Sequence, residues 1–158
     1  MNTLSSNINA NSYDFNRDAG IIKAVLESGN SVELPAEGYS MFPAFIPGNS
    51  VVIKPISAGT LPEPGNVVVF QNNGVLVMHR LIRISSDNNG NPLFITRGDS
   101  GIEPDNPVTR KQLIGIAVTC KGAKREYPVR SFLPPAWKYI LNRRLLRVYL
   151  IIRRLGLR

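Results

Sequence analysis

From about residue 30 to residue 120, Gly, Pro or Asn clusters break the apolar pattern of this chain every few residues. That punctuation constrains the fold more than any other feature. It leaves room for short strands joined by turns. A helical bundle could not absorb 12 Pro and 13 Gly. The interrupted runs are Val32–Leu34, Ser50–Lys54, Asn66–Phe70, Val75–Ile84, Leu93–Thr96 and Gln112–Cys120, each rich in β-branched or aromatic residues. Gln71-Asn72-Asn73-Gly74 reads as a tight hairpin between two of them, because Asn-Gly readily takes positive φ. Asp87-Asn88-Asn89-Gly90-Asn91-Pro92 reads as a looser one. With no internal repeat and no βαβ alternation, the expectation is a mainly β domain, built as a small, mostly antiparallel, curved sheet or open barrel.

The ends of the chain read differently. Tyr13 to Ser28 has a helical pattern in which Ala19, Ile22, Val25 and Leu26 share a face, and Gly29-Asn30 looks like its stop. After Pro134-Pro135 a second helical pattern runs to about Leu155. Leu141, Leu145, Val148, Ile152 and Leu155 fall on one stripe of it, and Arg143, Arg147, Arg154 and Arg158 gather on another. Its longest apolar run, Val148 to Ile152, is far short of the ~20 residues that span a bilayer. The first 20 residues, dominated by Asn, Ser and Asp, resemble neither a signal peptide nor a membrane span. The expected organisation is a flexible N-terminus over 1–17, a domain over 18–130 and a basic amphipathic helical tail over 131–158.

Length and composition narrow the chemistry. A chain of 158 residues suits one domain with one core, and 43% hydrophobic against 19% charged residues argues against wholesale disorder. One Cys excludes an intramolecular disulfide, and one His with one Cys cannot build a structural zinc site. No metal or cofactor is expected. The net charge of +8 is unevenly placed: residues 1–120 hold 8 Lys/Arg against 10 Asp/Glu, while residues 121–158 hold 11 against 1. So basic a tail suits an anionic partner. Trp137 and Tyr139, with the aliphatics that follow, favour an anionic membrane surface, met through residues 135–158. The other reading is a helix packed on the domain with its Arg face in water. No recognisable nucleic-acid module is present, so specific nucleic-acid binding is not expected.

Three segments carry candidate chemistry. Gly38-Tyr39-Ser40-Met41-Phe42-Pro43 lies where a chain turns between strands, a setting that can expose a hydroxyl and leave N–H groups free. A serine hydroxyl still needs a base within hydrogen-bond reach. His79, in Val77-Met78-His79-Arg80-Leu81-Ile82, is the sole imidazole, held inside an apolar strand and able to accept a proton near neutral pH. Thr96-Arg97-Gly98-Asp99-Ser100-Gly101 and the following Glu103-Pro104-Asp105-Asn106 supply two carboxylates, Asp99 and Asp105. Either can orient a protonated imidazole. Taken singly, each segment also has a plain structural reading: a turn serine, a half-buried histidine, a polar turn with side-chain caps. Cys120 ends an apolar strand and reads as a small buried hydrophobe.

Together and in this order, Ser-Met-x-Pro, a strand with His-Arg, and Gly-Asp-x-x-x-x-x-Asp resemble the type I signal peptidases of the LexA-like serine peptidase clan. The match is to the branch that uses His as general base, as in endoplasmic reticulum and archaeal signal peptidases, over roughly residues 30–120. The resemblance implies a coiled, mostly β catalytic core. It implies Ser40 as nucleophile, His79 as general base and one of Asp99 and Asp105 in service of the His. It also implies an extended precursor or leader peptide bound beside Tyr39, Met41, Leu76, Val77 and Met78, and hydrolysis through an acyl-enzyme whose oxyanion hole includes the Ser40 N–H. The chain departs from the family at Gly48-Asn49 and Gly65-Asn66, where Gly-Asp is usual, and at Gly38, where many members carry a hydroxyl. With no anchor in the first residues, the expected location is the cytoplasmic side, with peripheral membrane association. Two further readings keep the fold: a non-catalytic module that binds extended peptides, and a cytosolic regulator that cleaves itself within residues 1–17.

Overall fold

The computed structural model describes residues 15–57 and 59–156. The expected flexible segment over 1–17 lies largely outside that range, and its last three residues already belong to a helix. In chain order the elements are α1 (Phe15–Glu27), β1 (Val32–Pro35), β2 (Ser50–Pro55), β3 (Val67–Asn72), β4 (Val75–Ser86), β5 (Pro92–Arg97), β6 (Val108–Thr109), β7 (Leu113–Lys121), β8 (Glu126–Pro128) and α2 (Ala136–Arg154). The strands form one antiparallel sheet in the order β1-β2-β7-β3-β4-β5-β6, with β8 paired to β7. The chain is mainly β with a helix at each end.

Turn chemistry sets the hairpins. Asn73 and Gly74 take φ of 49° and 83° between β3 and β4, the two positive values that a tight hairpin twisted with its strands requires. In the looser β4–β5 turn, the Asp87 carboxylate accepts from the backbone N–H groups of Asn89 and Asn91. Asn49 and Asn66 do similar work elsewhere, accepting from the N–H of Ile46 and of Glu63. At these two positions Asn acts as a turn former.

The sheet curls. Its register shifts between Val52 and Ile53, between Val69 and Phe70, and between Leu81 and Arg83, and each irregularity bends a strand. Curling buries both faces of β3. Val67 and Val69 join a core with Ile22, Leu26, Leu34, Val51 and Ile53. Val68 and Phe70 join a second with Leu81, Phe94, Val108 and Leu113. Ala19, Ile22 and Leu26 are the buried stripe of α1, whereas Val25 sits at its edge, 36% exposed. Strands β6 and β8 were not expected. At two and three residues they are too short to leave an alternating pattern, and pairing with β5 and β7 creates them.

β4 exchanges partners midway. Val75–Arg80 pair with β3, and from Arg80 onward the strand also pairs with β5. Residues 75–79 thus have a neighbour on one side only among the described residues. β1 likewise pairs only with β2. Among the described residues, no helix is long and apolar enough to cross a membrane.

Candidate active site

Ser40 stands on the loop that leaves β1. Gly38 turns the chain at φ 71°, a conformation that side chains resist. Beyond it Met41 and Phe45, each 4% exposed, drop into the first core and pin the loop from below. Ser40, between Gly38 and Met41, stays exposed. Its carbonyl accepts the Ser100 N–H at 2.9 Å and shares the Ser100 hydroxyl, at 3.0 Å, with the carbonyl of Tyr39 at 2.8 Å. The Ser40 N–H donates to no described residue, and the Ser40 hydroxyl is equally free.

His79 is carried by the half-open stretch of β4, opposite Val68 of β3. Phe70 meets its ring edge-on, with centroids 6.3 Å apart. Nδ1 lies 2.6 Å from Asp105 Oδ2, and Thr96 Oγ1 donates to the same oxygen at 2.7 Å. Asp105 is itself held to β5 by its backbone N–H on the Thr96 carbonyl, 2.8 Å away. A carboxylate at Nδ1 keeps a proton there and leaves the Nε2 lone pair available. Burial pushes the Asp105 carboxyl up. The hydrogen bonds from His79 and Thr96 and the nearby imidazole charge outweigh it, and the net pKa falls below the ordinary value.

Gly98 joins the two halves of the site. A Cβ placed on it would stand 2.6 Å from the Ser40 carbonyl oxygen and 3.2 Å from His79 Nε2. The imidazole nitrogen and the Ser40 carbonyl therefore border the same small space, which a side chain at position 98 would fill. No hydrogen bond closes between the two side chains. Such bonds often tighten only with substrate present.

Asp99 lies elsewhere. Its two oxygens take Arg80 Nε and Nη2 at 2.8 and 2.7 Å, a bidentate pair with both side chains almost wholly buried. Arg80 Nη1 completes the set on the carbonyls of Gly65 and Arg130. Of the two candidate carboxylates, Asp105 attends the imidazole and Asp99 belongs to the structural pair behind it.

Ser40 and His79 open on one groove of about 570 Å³, walled by residues 34–38 on one side and 75–79 on the other. Met41, Leu76, Val77 and Met78 all line it. Both walls are strand edges, or continue one, with backbone groups that no described strand uses, so an extended peptide can hydrogen-bond to them. Tyr39 faces away: its ring packs on Tyr149 of α2, with centroids 6.0 Å apart, and its hydroxyl meets Arg153.

Thr96, Gly98 and Ser100 belong to the site and were not singled out in the sequence, although they flank Asp99 in the segment that was. The third segment drew notice for its carboxylates, while a hydroxyl that buttresses and a glycine that makes room leave no chemical signature. Cys120 is fully buried, with Sγ 3.1 Å from the Tyr127 hydroxyl, and burial raises its pKa. Among the described residues no three His, Cys, Asp or Glu gather to hold a metal ion. No protein-family model matches the chain, and no curated protein matches it in sequence.

Proposed function

We propose that this chain is a serine endopeptidase of the signal-peptidase kind, with the LexA-like coiled β fold, acting on an extended precursor or leader peptide. One observation carries the reading: the line from Thr96 through Asp105 to His79 Nδ1, with Nε2 and the Ser40 carbonyl bordering the same gap at Gly98. A peptide entering the groove lies between the two strand edges, its scissile carbonyl over Ser40. His79 Nε2 takes the proton as Ser40 Oγ attacks, Asp105 steadies the imidazolium, and the free Ser40 N–H faces the developing oxyanion. The imidazolium then returns the proton to the leaving amine. Water, activated by the same nitrogen, hydrolyses the acyl-enzyme. Peripheral attachment to a membrane belongs to the same reading, since leader peptides are met at bilayers.

The test is acylation by a serine-directed probe, read as intact mass on the wild type, Ser40→Ala and His79→Ala. A single adduct on the wild type, lost in both variants, is expected. No adduct on folded wild-type protein with probes of several sizes would sink the reading.

A second reading, a non-catalytic module that binds extended peptides by strand addition, draws on the Ser40 hydroxyl having no hydrogen bond to His79 and on Gly38 offering no side-chain donor. It predicts peptide binding that Ser40→Ala leaves unchanged, with no acyl adduct.

A further inference from the structure

The tail helix α2 carries three stripes, and its inward one is not the apolar one. Tyr139, Asn142, Leu146, Tyr149 and Arg153 recur at helical spacing: the first two are buried, Leu146 and Tyr149 are half-buried, and the exposed Arg153 meets the Tyr39 hydroxyl. The Arg97 guanidinium lies 3.4 Å from the centre of the Tyr139 ring, and Asn142 Nδ2 donates to the Asp99 carbonyl at 2.9 Å. Tyr149 packs on Tyr39 and Phe42, the residues that flank Ser40 and Met41. The aliphatic stripe turns outward. Trp137, Ile140, Leu141, Val148, Ile151 and Leu155 are all exposed, with Trp137 at 61%, Ile151 at 58% and Leu155 at 67%. Arg143, Arg147 and Arg154 run along one flank and Arg144 lies within the face; all four are exposed.

This inverts the usual surface helix, which buries its apolar stripe against the core. Over 19 residues the exposed face extends about 28 Å, well beyond the scattered apolar side chains of an ordinary surface. The N-terminal residues 1–14 offer only Met1, Leu4, Ile8 and Tyr13 as large apolar side chains, too few to cover it. A second copy of the helix would set Arg against Arg, because α2 contains no acidic residue. An anionic lipid surface complements both features: the aliphatics enter the acyl boundary and the long Arg stems reach the headgroups.

We propose that α2 lies in the plane of an anionic lipid surface, its outward aliphatic face at the acyl boundary, while its inward stripe stays docked beside the Ser40 loop. The helix needs no detachment to bind. Because Tyr149 rests on Tyr39 and Phe42, docking holds the Ser40 loop roughly one helix diameter, about 10 Å, from the interface. The lipid contact stands on α2 alone. Only its use, to present Ser40 to peptides at the membrane, rests on the peptidase reading.

Trp137 is the only Trp in the chain and sits on the proposed face, so its fluorescence reports the contact directly. The full chain is mixed with vesicles of equimolar phosphatidylglycerol and phosphatidylcholine. A blue shift of Trp137 emission and co-flotation are expected, with neither on pure phosphatidylcholine at the same concentration. Val148→Ser with Ile151→Ser should weaken partition about tenfold or more. Arg143→Gln with Arg147→Gln and Arg154→Gln should abolish the preference for anionic vesicles. Leu155→Ser, at the helix end, gives a milder loss should the double variant fold poorly. Unchanged Trp137 emission on anionic vesicles, an equal shift on neutral ones, or wild-type flotation of the folded serine variants would overturn the proposal. So would a wild-type dimer that the serine substitutions convert to monomer, which would make the face an interface between copies. These measurements read lipid contact and no cleavage, so their failure is separate from failure of the Ser40 assignment.

Discussion

His79 and Arg80 are consecutive in β4, yet each holds its own carboxylate: Asp105 at 2.6 Å from the imidazole, Asp99 in a bidentate pair with the guanidinium. Successive side chains of a strand leave on opposite faces, which is how adjacent residues serve unrelated purposes. One pair stands at the mouth of the groove and the other is sealed beneath α2 and the segment around Arg130. On the proposed reading the division separates chemistry from stability, and mutations should separate them too.

Asp105→Asn should leave the fold intact and lower acylation by on the order of 10³–10⁴, because His79 loses the acceptor that fixes its tautomer. Asp99→Asn should do the reverse. It strands a buried guanidinium and should cost about 3–5 kcal/mol in denaturant unfolding. Loss of acylation without loss of stability in the Asp99 variant would contradict the assignment.

The depressed pKa of Asp105 has a defined consequence in acid. Burial raises it, and the bonds from His79 and Thr96 together lower it further than burial lifts it, so the folded value lies below the ordinary 3.8. A carboxylate depressed on folding stabilises the protein above its unfolded pKa, and that contribution is lost as pH falls through the folded value. Stability of the wild type should therefore decline more steeply below about pH 4 than that of Asp105→Asn. Thermal unfolding of the two across pH 2–6 would show it, and parallel curves would count against the coupling.

Gly98→Ala should be far more damaging to activity than its size suggests. The new methyl would stand 2.6 Å from the Ser40 carbonyl and 3.2 Å from His79 Nε2, so the loop, the imidazole or both must shift. A displacement near 1 Å is enough to cost about 10² in rate. Acylation kinetics with a folding control by circular dichroism would measure it. Wild-type acylation would mean that the two groups do not work together.

Cys120 should behave as a buried hydrophobe. Burial holds its thiol above the ordinary range, and the Tyr127 hydroxyl beside it is pushed up to about 12, by burial first and by the Cys120 hydrogen bond second. Alkylation should be slow in native buffer and complete in denaturant. Rapid labelling of the folded chain would show an accessible thiol and contradict the packing.

Much of this was written locally. Gly, Pro and Asn punctuation marked six strands and the tight hairpin, because turn conformation is decided by two or three residues. The periodicity of the tail marked its helix, because a 3.6-residue repeat needs no tertiary partner to be seen. Ser40, His79, Asp99 and Asp105 stood out as groups able to react, but each also had a plain structural reading, and it was the resemblance of their three ordered segments to a peptidase family that put them together. Which acid served the imidazole was not decided there: Asp99 and Asp105 lie six residues apart in one polar turn, and only the pairing of β4 with β5 and the face on which each β4 side chain leaves sends them to different partners. The part played by Gly98 came from packing as well, because it consists of space left empty between two distant segments. So did the orientation of α2. Periodicity showed that the helix had an aliphatic stripe and a basic one. That both would face outward, with tyrosines and an asparagine turned in, depended on what the loops beside Ser40 and Asp99 offered to pack against.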